Sequence, residues 1–230
     1  KAELAQQKKR PVVDFAGMLR QLGRPRLGPL LVTRMIVSIA ASLFMALFTL
    51  WAKNRLGLDA RVSSYLMAYN GVLTIIVQIV LIGPLTHRFA EARLITWCTA
   101  ILGAAMLGWG LTGNVAMLMI VMVPQALATG VLNTVINSAV SWSVAPHEMG
   151  DALGTAAAYE SLSRVIAPPL GGWLLGAVGL WAPGVLGAVL LAGLTLFALR
   201  RLIVDPDPPP AAPAWLAIDA AAERTPSPGA

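Results

Sequence analysis

Two charged residues, Glu160 and Arg164, lie four apart inside a run that is otherwise apolar or small. On a helix that spacing puts both side chains on one face, one turn apart. Two roles are open to such a pair. It can neutralise itself and fix the packing of its helix. Alternatively, Glu160 takes up a proton or attracts a cation while Arg164 governs the exchange. A third charge, Arg34, sits inside another apolar run, about two turns from its start at 1.5 Å per residue. Arg34 either snorkels along its stem to lipid headgroups or contacts a solute. A lone ion near mid-bilayer costs from roughly 3 to above 10 kcal/mol, so charges in such runs need a reason to be there.

Polar residues in other runs repeat the same spacing. Gln125, Thr129, Asn133 and Asn137 recur every fourth residue, as do Asn70, Thr74 and Gln78, and again Arg34, Ser38 and Ser42. Each set makes one wet stripe on one helix face. Amides both donate and accept, as a polar solute stripped of water requires, so the stripes read as cavity lining. Their other reading is interhelical glue, worth on average under about 1 kcal/mol per bond in membranes. Tyr69, beside the second stripe, offers a ring to an organic cation or to packing.

Enzyme chemistry finds no support in these residues. There is no G-x-S-x-G, no H-E-x-x-H and no histidine within an apolar run. The single Cys98 and the two distant histidines, His87 and His147, give no disulfide, no metal set and no cofactor site. The net charge of +6 does not indicate nucleic acid, because the basic residues gather at the ends of apolar runs.

The elements that must hold these residues are membrane helices. The chain is 57% hydrophobic and 12% charged, with a mean hydropathy of +0.72, too apolar for a water-facing domain. Six runs approach the roughly 20 residues that a helix needs to cross a bilayer: 27–51, 62–85, 94–112, 115–138, 152–178 and 182–199. Lipid leaves backbone amides no partner but the helix itself, and the runs are too long for barrel strands. Twelve Lys and Arg residues fall on one side of the expected bundle and three, Lys53, Arg55 and Arg61, on the other. That asymmetry predicts both termini in the cytoplasm, with the plasma or inner membrane as the default location. Residues 1–26 read as a cytoplasmic linker. Within it Val12, Phe15, Met18, Leu19 and Leu22 suit either a surface helix or a solvated segment. Residues 27–203 form the bundle, and 204–230, rich in Pro, Ala and Ser, read as a disordered tail. The start has no signal-peptide pattern and no methionine, as in a piece of a longer protein.

The third and sixth runs are nearly free of polar residues, which predicts a peripheral place for both. The order is therefore wet, wet, dry, then wet, wet, dry, the pattern of two three-helix repeats. The connection Gly83, Pro84, Leu85, Thr86, His87, Arg88, Phe89, Ala90 resembles the G-x-L-a-D-R-x-G loop of the major facilitator superfamily, with His87 in place of the acid and Ala90 in place of glycine. Gly154, Ser163, Ala167, Pro168, Gly171 and Gly172 are similar to that family's antiporter signature, at the place of its eleventh helix. Tyr65, Leu66, Met67, Gly71, Gln78, Ile82, the pair Arg164 and Pro168, and Arg34 are similar to the organic-cation- and tetracycline-transporter-like branch.

The resemblance implies an all-α membrane protein: the C-terminal six-helix half of a major facilitator fold, built from two inverted three-helix repeats. It implies a secondary carrier for a small organic solute working by alternating access, with proton-coupled drug or organic-cation antiport as the finer expectation. A lipid bilayer, a small organic solute, a proton and an N-terminal half supplying the opposite cavity wall are the implied partners. The competing readings are a non-transporting scaffold or receptor descended from a carrier, and a half-size carrier working as a dimer. Pro168 and Pro169 predict a bend beyond Arg164; Gly172 and Gly176 predict close helix approach, serving either as a pivot or as ordinary packing.

Overall fold

A computed structural model describes residues 15–200. A short helix α1 (Phe15–Leu22) precedes six long ones. They are α2 (Leu27–Leu56), α3 (Ala60–Ile76, a π-helical turn Val77–Leu81, then Ile82–Arg88), α4 (Glu91–Leu111), α5 (Val115–Trp142), α6 (Met149–Ala177) and α7 (Ala182–Ala198). Each of the six apolar runs falls on one of them. By length and composition α2, α3, α4 and α5 can each cross a membrane. At 29 residues α6 has the length but carries Asp151, Glu160 and Arg164; α7 is an apolar helix of 17 residues.

Local chemistry sets the ends. Gly57 adopts φ 67°, and with Leu58 it caps the carbonyls of Lys53 and Ala52, closing α2 in the left-handed turn that glycine favours. Asp59 accepts from the Val62 amide at 2.9 Å to start α3, and Asn114 accepts from Met117 at 2.8 Å to start α5. Between α1 and α2 the chain turns so tightly that a Cβ on Gly28 would stand 2.2 Å from the Leu22 carbonyl oxygen. The prolines at 124, 168 and 169 lie inside helices assigned as continuous.

Packing follows an exchange rule. α2 packs on α6 as α5 packs on α3; α5 packs on α4 as α2 packs on α7; α2 meets α3 as α5 meets α6; and α4 pairs with α7. Swapping α2–α4 with α5–α7 maps this set onto itself, so two three-helix units are visible in the contacts. Consecutive spans alternate in direction, and three steps separate equivalent helices, so the second unit is inverted relative to the first.

The core is apolar and aromatic where α2 meets α4. Phe44 and Trp109 stand edge to face at 5.1 Å, Trp51 lies 5.4 Å from Trp109, and all three are buried. Such ring pairs add about 0.5–1.5 kcal/mol beyond burial. At the α4–α7 seam backbones touch: a Cβ on Gly184 would lie 2.7 Å from the Gly110 Cα, the close approach that small residues permit in membrane bundles.

Two expectations change here. Dry α4 is not peripheral within the chain: 61% of its most apolar stretch is buried, against 11% for wet α3. Low polarity marks distance from polar cavities, and a helix sandwiched between α5 and α7 has that distance as surely as one facing lipid. The linker helix forms, but Met18 is buried against the bundle while Leu19 is 68% exposed. The Tyr159 hydroxyl donates to the Met18 carbonyl at 3.1 Å. Val12 and the expected disordered tail lie outside the described residues.

Candidate functional site

The charges that were separate in sequence meet in space. Arg34 of α2 is 7% exposed. Its Nη1 donates to Asn133 Oδ1 of α5 at 2.8 Å, and its Nη2 donates to Glu160 Oε2 of α6. Arg164 Nη2 donates to the other carboxylate oxygen, Oε1, at 2.5 Å. One carboxylate thus joins two guanidiniums, and three helices share the cluster. Burial differs across it: the side chains of Arg34, Glu160 and Arg164 are 8%, 26% and 70% exposed. Arg34 neither snorkels to headgroups nor faces the cavity; it is the buried strut behind Glu160. Its Nε is buried without a partner among the described residues.

Asn133, Glu160 and Arg164 of the cluster form part of the wall of a cavity of about 560 Å³. Val37, Ser38, Ala41, Ser42, Met45 and Ala46 line it from α2, Thr129 and Asn133 from α5, and Glu160, Arg164 and Pro168 from α6. Neither α4 nor α7 contributes, in keeping with their low polarity. Most helical hydroxyls of this chain return to a carbonyl one turn back, as in Thr33, Thr74, Thr96, Ser161, Ser163 and Thr195. Ser38, Ser42 and Thr129 make no such bond among the described residues and face the cavity instead.

Other expected site residues lie elsewhere. Gln125 is buried off the cavity with its Oε1 unpartnered, and Asn137 is exposed. On α3, Tyr69 packs against the core, Asn70 has a buried unpartnered Oδ1, Thr74 donates to the Asn70 carbonyl at 2.9 Å, and Gln78 is exposed in the π-helical turn. None of the four reaches this cavity, because α3 rests on α5 at Gly130, against Val77 and Thr74, and its remaining surface is largely exposed. A polar stripe fixes which residues share a face, not which face meets the cavity.

The loop motif spans the end of α3. Gly83 has open space around it, the Leu85 carbonyl accepts from the Phe89 amide at 3.0 Å, and Arg88 is exposed; the side chain of His87 lies outside the described residues. Just beyond, Glu91 accepts from Ser138 at 3.0 Å and ties the start of α4 to α5. Of the paired glycines, Gly171 is the tight one, where a Cβ would lie 2.3 Å from Leu47 Cδ1; Gly172 and Gly176 have nothing within 4 Å. Close approach at Gly172 and Gly176 is therefore not made among the described residues.

A second contact escaped sequence reading. Arg24 and Glu148, 124 residues apart, form a two-pronged ion pair with both N–O distances at 2.9 Å. It fastens the segment after α1 to the turn before α6. The hydrogen bond from Arg24 holds the Glu148 carboxyl below its ordinary range, although partial desolvation opposes this. Nothing local in the sequence marks either residue as the partner of the other.

Comparison with known proteins adds family context. Residues 30–225 match the family described as Major Facilitator Superfamily. Solute carrier family 22 member 18 of Rattus norvegicus is 29% identical over 180 residues, covering 78% of this chain and 43% of that protein. Solute carrier family 67 member A1 of Homo sapiens is 25% identical over 188 residues, covering 82% and 44%. A crystal structure of the peptide transporter POT in complex with sulfate superposes with a TM-score of 0.70 at 21% identity, over 92% of this chain and 47% of that one. The chain spans less than half the length of each.

Proposed function

From the premise that this chain belongs to the Major Facilitator Superfamily, we propose that it forms one six-helix wall of a secondary carrier. The carrier moves a small organic solute by alternating access, with a further six-helix half supplying the opposite wall. The observation that carries this reading is the cluster of Arg34, Glu160, Asn133 and Arg164 beside a cavity of about 560 Å³, a size suited to a small organic molecule. Three helices from both repeat units meet there. Rocking of one half against the other would expose the same cavity first to one side of the membrane and then to the other. The excess of Lys and Arg around the chain ends supports cytoplasmic termini, in a plasma or inner membrane.

Coupling would pass through Glu160. Each of its oxygens accepts from an arginine, so proton exchange there competes with an ion pair and is eased when an arginine lets go. Arg164, the exposed partner, is the one free to leave.

The test needs no substrate. In a Cys98→Ala background, Ser42→Cys is placed in the cavity of the full-length protein and treated in sealed vesicles with a membrane-impermeant maleimide from either side. A carrier leaves this position open to both sides in turn, so labelling from both is expected. Labelling from neither or from one side alone favours a scaffold or receptor and overturns the reading.

A further inference from the structure

The charge at the cavity wall is not neutral. Two guanidiniums and one carboxylate leave the cluster at +1, with Glu160 and Arg164 on the cavity and Arg34 behind them, and no further charged side chain lines it among the described residues. Each oxygen of the carboxylate already accepts from one arginine. The exposed charge is Arg164, which uses a single N–H on Glu160 and has no other hydrogen bond among the described residues. Donors dominate the rest of the wall. Asn133 spends its oxygen on Arg34 and keeps its amide N–H groups for the cavity. The hydroxyls of Ser38, Ser42 and Thr129 remain uncommitted.

An organic cation entering here finds a carboxylate already shared by two guanidiniums, in a cluster of net charge +1. An anion finds a guanidinium fork with open donors, ringed by amide and hydroxyl groups. Resting on the carrier reading above, we infer that the solute is a small organic anion, with its carboxylate, or an equivalent oxyanion, held by Arg164 and Asn133. Arg164 then does two jobs in turn. It bridges Glu160 in the empty cavity and swings at least one N–H toward the solute in the loaded one, in the geometry by which arginine grips carboxylates. Arg34 stays on Glu160 throughout, so the acid never lacks a partner when Arg164 turns away.

The probes are isosteric sets differing only in charge: benzoate, benzamide and benzamidinium, with alkyl carboxylates and their amides beside them. Each is tested for its ability to slow maleimide labelling of Ser42→Cys in the full-length protein. Carboxylates are expected to protect where amides and benzamidinium do not. Arg164→Gln should weaken that protection about tenfold or more, the loss expected of a charge-assisted hydrogen bond, and Arg164→Lys should restore part of it. A thermal melt checks that both variants stay folded. Protection by amides as good as by carboxylates, better protection by benzamidinium, no protection by any carboxylate, or carboxylate protection unchanged in Arg164→Gln would each overturn the inference. If two-sided labelling of Ser42→Cys persists in those cases, the carrier reading stands while the anion assignment falls.

Discussion

The two arginines on Glu160 should differ sharply in what they contribute to stability, and the difference can be measured. Arg34 is 8% exposed and Arg164 70% exposed on the same carboxylate. Removing one partner of a buried pair costs about 3–5 kcal/mol, because the other charge is left stranded. An exposed pair four apart on a helix is worth about 0.3–0.5 kcal/mol. At about 2–4 °C per kcal/mol for a chain of this size, Arg34→Met or Glu160→Ala should lower the melting temperature by roughly 6–20 °C. Arg164→Ala should lower it by no more than about 2 °C. Cys98 is 3% exposed, so a thiol-reactive dye that fluoresces on reaction follows its uncovering as the bundle melts. The double variant Arg34→Met with Glu160→Ala removes the buried guanidinium together with its half-buried carboxylate, and replacing such a pair by apolar groups is often neutral. It should therefore melt well above the sum of the two single losses. Additive losses in the double variant, or an Arg34→Met loss no larger than that of Arg164→Ala, would refute the view that Arg34 and Glu160 form the buried half of the cluster.

Three further outcomes test the architecture. Gly184→Ala drives a Cβ to 2.7 Å from Gly110 Cα and 2.8 Å from the Met106 carbonyl oxygen; with backbone on both sides nothing can yield, and a loss of about 1–3 kcal/mol is expected. Gly172→Ala, with open space, is its neutral control in the same dye melt. Tyr159→Phe deletes the bond to the Met18 carbonyl, which should cost about 0.5–1.5 kcal/mol and increase proteolytic cutting between α1 and α2. For Arg24 and Glu148 the sign follows from the lowered carboxyl. Its stabilising effect is whole above the ordinary value of 4.5 and is lost as pH falls through the lower folded value. Melts from neutral to acid pH should show that limb flattened in Glu148→Gln, and added salt should shrink it as well, since the pair is exposed.

The six helices were legible because membrane crossing demands long apolar runs, and nothing else in the chain resembles them. Helix ends were less legible. α2 continues through Lys53, Asn54 and Arg55 to Leu56, beyond the apolar run, because a helix stops where a cap permits and not where hydropathy falls; Gly57 supplied that cap. The three-helix repeat was also readable, as wet, wet, dry taken twice, and the contacts repeat it. What polarity did not carry was direction. It separated α4 and α7 from the cavity but could not tell burial inside the bundle from exposure outside it. α3 packs so lightly on this half that Asn70, Thr74 and Gln78 meet no cavity within it.

The site itself turns on Arg34, whose contact with Glu160 the sequence does not display. Glu160 with Arg164 alone is a neutral pair, and a neutral pair with one acid suggests a proton or a cation as its natural visitor. Arg34 lies 126 residues from Glu160, with no periodicity to link them, so its two expected roles were headgroup and solute. The fold gives it a third role: it occupies one oxygen of Glu160 and the oxygen of Asn133 together. That single addition moves the cluster from zero to +1 and leaves neither oxygen of Glu160 without an arginine. It also leaves Arg164 able to let go without stranding the acid. The chemistry of the wall is decided by a buried residue that does not line it.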